Sequence, residues 1–411
     1  MGGREQHDSE GGTSLTGRAT GSRAASCPDA PAAGVRLGNT LAHRLLPPVV
    51  YADIFLTEDC NHQCDYCFVK GKQPRTISRE VASAAIEFMI RSSARQHYVR
   101  FLFFGGEPLL EWGLLQGFVE YASSRARQSG RRAEFSITTN GSLLDEKRCT
   151  YLREIGVKYL LSIDGDKGSH DRHRHMRSGQ SSYDEVMERL PMMKRYQPWQ
   201  GTRMTLTPYT AARACQNVRH LYSRGINQFI IGPATGIAWP DDALATYEAQ
   251  MVEIAELYRE LKAKKAPFRM TLFEKDCEAD AGKYKGVWGC GAGRGRVCIS
   301  VTGDLYGCAK ILGVDGLKDT HKLGDVWNGI TNLKGRLDLL SVKPEDRPQC
   351  ASCQHSDDCA GGCPATNYEA TGSLFQPAPL DCALMPIVKR VRATLREEAV
   401  AEEGASYAEP L

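Results

Sequence analysis

A chain of 411 residues, 42% hydrophobic and 25% charged, has ordinary globular composition and room for one large domain and a smaller one. Its net charge of +3 gives no global field toward nucleic acid or an anionic membrane, and no apolar stretch approaches the ~18 residues of a membrane-spanning helix. Fifteen cysteines in a large chain whose first residues lack a signal-peptide core point to metal ligands in a reducing cytoplasm rather than to disulfides.

Residues 1 to about 34 are rich in Gly, Ser, Arg and Ala and read as a disordered tail, with the lead-in extending to residue 47. Val49–Leu56 is the first strand-type run. It is followed at once by Cys60, Cys64 and Cys67, a CxxxCxxC loop. Three thiolates on one short loop can hold three irons of a 4Fe–4S cluster and leave the fourth iron open to a chelating molecule. A zinc loop is the competing reading, but zinc sites usually pair their ligands, and electron-transfer clusters need four protein ligands.

Ser78 to Met89 has helical periodicity, with Ser78 as N-cap and Val81, Ala84, Ala85, Phe88 and Met89 on one face. Tyr98–Phe104 is a second strand, ending in Gly105-Gly106-Glu107-Pro108. Further strands are expected at Glu134–Thr139, Lys158–Ile163, Arg203–Thr207 and Gln228–Ile231. Strands alternating with amphipathic stretches imply parallel β/α units with right-handed crossovers, and ligands in such folds bind at the C-terminal strand ends. The cysteine loop and the Gly-Gly-Glu-Pro run both fall there. Thr139-Asn140-Gly141 and Ser162-Ile163-Asp164-Gly165 close two further strands, where the bland reading is a turn. His170 to Arg177 is a basic loop that reads as a solvated charged face; its three histidines invite a metal reading but lack a fourth partner.

Residues 242–264 make a helix, with Leu244, Tyr247, Met251, Ile254 and Leu257 at helical spacing. A second cysteine set then begins. Cys290, twelve residues, Gly303, four residues and Cys308 are followed by Cys350-x2-Cys353-x5-Cys359-x3-Cys363 and, eighteen residues on, Cys382. Val297 to Leu305 reads as two short strands around a Gly303-Asp304 hairpin, which would bring Cys290 or Cys298 near Cys308.

The first cysteine loop, with Tyr66 before its last cysteine, and the Gly-Gly-Glu-Pro run together resemble the radical S-adenosylmethionine (SAM) superfamily. The second set resembles the SPASM extension of its peptide-modifying members, and the likeness covers roughly residues 49 to 390. The resemblance implies an α/β fold: a partial (β/α)6 barrel over residues 48–240, a linker helix region over 241–284, a cysteine-rich SPASM domain over 285–390, and a tail over 391–411. It implies that Cys60, Cys64 and Cys67 hold the SAM-binding 4Fe–4S cluster, with SAM contacted by Tyr66, Gly105, Gly106, Glu107, Thr139, Asn140, Ser162, Asp164 and Arg174. Glycines at 105 and 106 suit a close backbone approach to a ligand. Two auxiliary 4Fe–4S clusters are implied, one on Cys350, Cys353, Cys359 and Cys382, the other on Cys290, Cys308 and Cys363. Cys298 is the expected eighth ligand, with Cys277 or an open iron as alternatives, and two zinc ribbons as the structural alternative.

The implied activity is generation of a 5′-deoxyadenosyl radical and oxidative modification of a ribosomally made peptide or protein, such as a thioether or carbon–carbon link. Formylglycine formation by a sulfatase-maturase-like enzyme is the alternative. Relatives of that kind carry an Asp after the cysteine that follows the hairpin, where this chain has Ala309. An iron–sulfur electron carrier is the non-catalytic alternative. The implied partners are the peptide or protein substrate and a reductant such as flavodoxin or ferredoxin, with no nucleic acid and no membrane. The 48 residues before the first strand are too few for a winged-helix peptide-binding module, so a separate leader-peptide-binding protein is expected, or else the barrel–extension interface.

Overall fold

The computed structural model describes residues 46–70, 73–274, 288–342, 346–356 and 359–406. The expected N-terminal tail, Cys27 and Cys277 lie outside them. The strands are β1 (Tyr51–Thr57), β2 (His62–Cys64), β3 (Tyr98–Gly105), β4 (Arg132–Thr139), β5 (Lys158–Ser162), β6 (Arg174–Met176), β7 (Gln200–Leu206), β8 (Ile226–Pro233), β9 (Arg269–Met270), β10 (Arg296–Ile299), β11 (Asp304–Tyr306), β12 (Gly324–Asp325) and β13 (Gly329–Ile330). The six long strands β1, β3, β4, β5, β7 and β8 run parallel in that spatial order, as the alternating pattern requires.

Each strand presents one face to the covering helices. Ala52, Ile54 and Leu56 on β1 and Val99, Phe101 and Phe103 on β3 are buried there. Phe101 and Phe103 meet Phe118 of the helix Trp112–Gln128 edge-on at 5.2 and 5.3 Å. The opposite face is concave and more open: Leu102, Phe104, Ser136, Leu160, Ser162, Thr205 and Ile230 are half-buried. This two-residue alternation separates a packed outer layer from a reachable lumen. The expected helix after the first cysteine loop spans Arg79–Ser92, and the Ser78 hydroxyl accepts the Val81 N–H at 3.1 Å.

The sheet crosses the boundary expected between barrel and extension. β10 pairs in parallel with β1, matching Tyr51 to Arg296 and Asp53 to Cys298, and β11, β12 and β13 follow antiparallel. The result is one eleven-stranded sheet with β1 in its interior. Periodicity in the sequence cannot show which strand a hairpin joins. Gly303, at φ +83°, makes the β10–β11 turn in a backbone region that favours glycine. The helix Pro379–Ser406 runs straight through the expected start of a tail at residue 391, and it meets the helix Asp241–Ala263 through Arg390 and Glu248 at 2.6 Å. Among the described residues no helix is long and apolar enough to cross a membrane.

Arg296 fastens this junction. Its guanidinium donates to both Asp53 oxygens, at 3.0 and 2.5 Å, and lies 4.6 Å from the Tyr51 ring centroid. Asp53 is 1% exposed. Burial pushes its carboxyl above the usual carboxylate range, while Arg296 and the Ala309 N–H pull it back. Arg296→Met is expected to destabilise the apo-protein by about 2–3 kcal/mol in urea unfolding. That is below a fully enclosed pair, because 38% of the Arg296 side chain reaches solvent. Unchanged stability would show that the pair does not hold the two parts together.

Candidate active site

The cysteine loop leaves the C-terminal end of β1, and its shape is set by the Gly-Gly-Glu-Pro run at the end of β3. The N–H of Gly106 donates to the Thr57 carbonyl at 2.9 Å, and that of Glu107 to the Asp59 carbonyl at 2.7 Å. A Cβ on Gly106 would lie 1.7 Å from the Asp59 oxygen, and one on Gly105, at φ +116°, 2.6 Å from the Thr57 oxygen. Both glycines are therefore required by the loop packed on them, a reason the expectation of ligand approach had missed. Only the folded contact reveals it.

The side chain of Glu107 is turned away from the mouth and 1% exposed. It accepts from Thr139 Oγ1 and the Asn140 N–H, both at 2.8 Å, and from the Leu109 N–H at 3.1 Å. Burial raises its pKa to about 7 against these three donors. Asn140 in turn donates to Asn61 Oδ1 at 2.8 Å, and Ser142 bonds both Asn140 and Asn61. Thr139 and Asn140, expected to meet SAM, thus use their side chains to tie the ends of β3 and β4 to the cysteine loop.

The other wall is a buried charge cluster. The short strands β2 and β6 pair antiparallel and set Cys64 opposite Arg174. The Arg174 Nη1 lies 3.9 Å from Cys64 Sγ, while Nε and Nη2 reach Asp164 at 2.8 and 3.1 Å. Asp164 also accepts the Thr205 N–H at 2.8 Å and the Tyr66 hydroxyl. Burial pushes the Asp164 carboxyl up, but Arg174, His170 and the Thr205 N–H outweigh it and hold it below its ordinary value. Burial likewise raises the Tyr66 phenol far above its usual range, so it stays a donor. His170 accepts the Asp164 N–H at 3.3 Å and sits 3.0 Å from the Ser182 hydroxyl; burial first, then Arg174, lowers its pKa to about 4. It is a neutral support for the Asp164 turn. Ser162 ends β5 on the concave face, one strand from Arg203.

None of the thirteen described cysteines forms a disulfide. Cys60 is buried, and its sulfur accepts the His62 N–H at 3.4 Å. In the C-terminal part, Cys353 and Cys359 accept backbone N–H groups of His355 and Gly361 at 3.5 and 3.3 Å. Such donors favour the thiolate form and are the kind that tune iron–sulfur sites. Burial first, then neighbouring cysteines, raises the thiol pKa of Cys350 and Cys382, which lie near Cys353 and Cys359, and of Cys290 and Cys308, which lie near Cys363. Cys298 is fully buried within β10, and its charge neighbours are Asp53, Cys308 and Arg296 rather than Cys290 or Cys363. No three of the described residues converge as they would around a single ion. Phe68, just after Cys67, stacks on Phe104 at 5.9 Å, and a Cβ on Gly313 would lie 2.3 Å from the Phe68 oxygen. The C-terminal part thus backs the first cysteine loop.

Comparison with known proteins gives the same picture. Residues 54–213 match the Radical SAM superfamily. An uncharacterized protein of Methanocaldococcus jannaschii is 26% identical over 171 residues, 42% of this chain and 58% of that protein, so the chain spans less than two thirds of that relative. A serine-type anaerobic sulfatase-maturating enzyme of Bacteroides thetaiotaomicron is 22% identical over 348 residues, 76% of this chain and 81% of that enzyme. The solved structure of native anSMEcpe with bound AdoMet and Cp18Cys peptide superposes with a TM-score of 0.70 at 16% identity, covering 86% of this chain and 99% of that one. The three-cysteine loop at the mouth of the parallel strands lies inside the matched segment, so residues 54–213 are similar to the Radical SAM superfamily in sequence, and the fold agrees.

Proposed function

We propose that the chain oxidatively modifies a peptide or protein by hydrogen-atom abstraction. The observation that carries this reading is the cysteine loop itself: Cys60, Cys64 and Cys67 follow β1 at the mouth of a reachable lumen. Cys60, Cys64 and Cys67 would hold a 4Fe–4S cluster which, with SAM and a reductant such as flavodoxin or ferredoxin, would supply radical chemistry able to attack unactivated C–H bonds.

The chain's own residues do the rest. Asp164 fixes two nitrogens of Arg174 and leaves Nη1 on the Cys64 side, where a SAM carboxylate can be taken up. The Glu107–Asn140–Asn61 network keeps the loop from shifting when a ligand enters. The apolar lumen wall of Phe55, Phe104 and Phe68 excludes water from the mouth. Cys350, Cys353, Cys359 and Cys382 suit one auxiliary 4Fe–4S cluster, and Cys290, Cys308 and Cys363 another. Cys298, buried in β10, shares its charge environment with Cys308 of the second grouping and is the candidate for its fourth ligand. Likeness in fold to a peptide-bound structure supports a peptide substrate.

Formylglycine formation is a second reading, favoured by the extent of the match to a sulfatase-maturating enzyme. The chain lacks an Asp at 309, but the Ala309 backbone lowers the pKa of Asp53, so a buried carboxylate from β1 lies near that position. A serine-bearing sulfatase-type peptide should then lose two hydrogens from the Ser side chain, as read by mass spectrometry. No such loss with cleavage-competent enzyme rules that reading out.

The anaerobically reconstituted protein is expected to carry about twelve irons in three clusters, and joint Cys60→Ala, Cys64→Ala and Cys67→Ala to remove about four and abolish SAM cleavage. Zinc in the C-terminal sites, with about four irons per chain, would contradict the auxiliary assignment. Cys359→Ala should keep reductive SAM cleavage while losing product formation. Loss of both in protein that still holds the loop cluster would place all the clusters in one function.

A further inference from the structure

We propose that Arg203 anchors a carboxylate of the substrate, so that the lumen receives a peptide residue with an acidic side chain. This rests on the peptide reading above and narrows it.

Arg203 lies in the middle of β7. Its neighbours Thr202 and Met204 are fully buried on the helix side, whereas Arg203 itself is exposed on the concave side. It stands between Ser162 of β5 and Ile230 of β8, both half-buried in the same layer. Its guanidinium lies over the bare Cα of Gly232: a Cβ there would come 2.9 Å from Nη2, 3.2 Å from Nη1 and 3.3 Å from Cζ. Glycine at 232 therefore gives the guanidinium plane its bed.

No hydrogen bond or ion pair involves the Arg203 side chain among the described residues. The carboxylate that shares its charge environment, Asp164, is already full. A carboxylate offers about four acceptor positions, and Asp164 fills four with Arg174 Nε, Arg174 Nη2, the Thr205 N–H and the Tyr66 hydroxyl. One negative charge is thus matched by Arg174, and Arg203 remains as a second, unmatched positive charge. The protein packed around its stem and the nearby Arg174 lower its pKa, with Asp164 opposing, while the guanidinium stays reachable from the lumen. Arg203 is thus reachable from the lumen, and its planar fork matches a carboxylate through two parallel bonds. An anion entering the lumen supplies what the fold leaves out.

Two carboxylates can enter, one on SAM and one on the peptide, and the test separates them. The probe is a pool of end-blocked tripeptides, acetyl-Gly-Xaa-Gly-amide, in which Xaa is Asp, Asn, Glu, Gln or Ala. The only carboxylate is then the side chain. Retention on the reconstituted full chain with SAM is read by affinity-selection mass spectrometry, and SAM affinity is measured separately. The wild type should retain Glu or Asp over its amide by about tenfold, the scale of a charged, bidentate contact. Arg203→Met should bring the ratio to about one, and Arg203→Lys to an intermediate value, with SAM affinity changed by less than about twofold. Gly232→Ala displaces only the flexible guanidinium tip, so it should lower the ratio in a folded protein and guard against misfolding of the Met variant. Equal retention of acid and amide by the wild type overturns the proposal. So does a tenfold loss of SAM affinity in Arg203→Met, which would assign the guanidinium to SAM. Retention of N-acetylglutamate without any tripeptide would keep the anchor and overturn the peptide reading instead.

Discussion

Everything in this molecule is hung on β1, and β1 is held on both sides. On one side it pairs with β3, which delivers the glycines that shape the cysteine loop; on the other it pairs with β10, which delivers the C-terminal cysteines. A parallel pair has no hairpin to hold it in register, so side chains must do so. Here the hydrophobic row Ala52, Ile54 and Leu56 locks the outer face, and the Asp53–Arg296 pair locks the inner one. A one-residue slip would put Asp53 among the helices and apolar residues in the lumen, so register and chemistry are coupled.

The mouth of the barrel is rigid before any ligand arrives. Glu107 is nearly inaccessible, yet it accepts three hydrogen bonds, two of them from the strand that follows. Asn140 passes that order on to Asn61 between the first two cysteines. A fully satisfied buried network of this kind resists displacement, because breaking one member leaves others unpaired in a low-dielectric interior. The loop therefore offers its thiolates without paying much ordering entropy on assembly.

Charge is distributed unevenly around the lumen. At the β1–β10 side, Asp53 and Arg296 neutralise one another. At the β5–β7 side, Asp164 and Arg174 do the same, with Tyr66 and the Thr205 N–H completing the carboxylate. Arg203 has no such partner among the described residues. The balanced pairs fix the walls of the lumen, and the unbalanced charge is where selectivity for a substrate can arise, since a guanidinium distinguishes an acid from its amide.

Much of this was legible in the sequence, for reasons of local physics. The six parallel strands follow from apolar runs alternating with amphipathic stretches, the Ser78 cap from its place before a periodic segment, and the Gly303 turn from a glycine between two short strands. The three-cysteine loop is legible in its close spacing, whereas the grouping of the C-terminal cysteines, distant along the chain, is what the family resemblance implies. The tertiary structure alone decided that β10 joins β1 and makes one sheet of two expected domains, since strand pairing depends on edges that are distant in sequence. It alone showed that Gly105 and Gly106 make room for the Thr57–Asp59 backbone, and that Thr139 and Asn140 serve Glu107. It also separated Arg174 from Arg203. Two arginines look alike along the chain, but the number of acceptor positions on Asp164 gives a partner to only one of them.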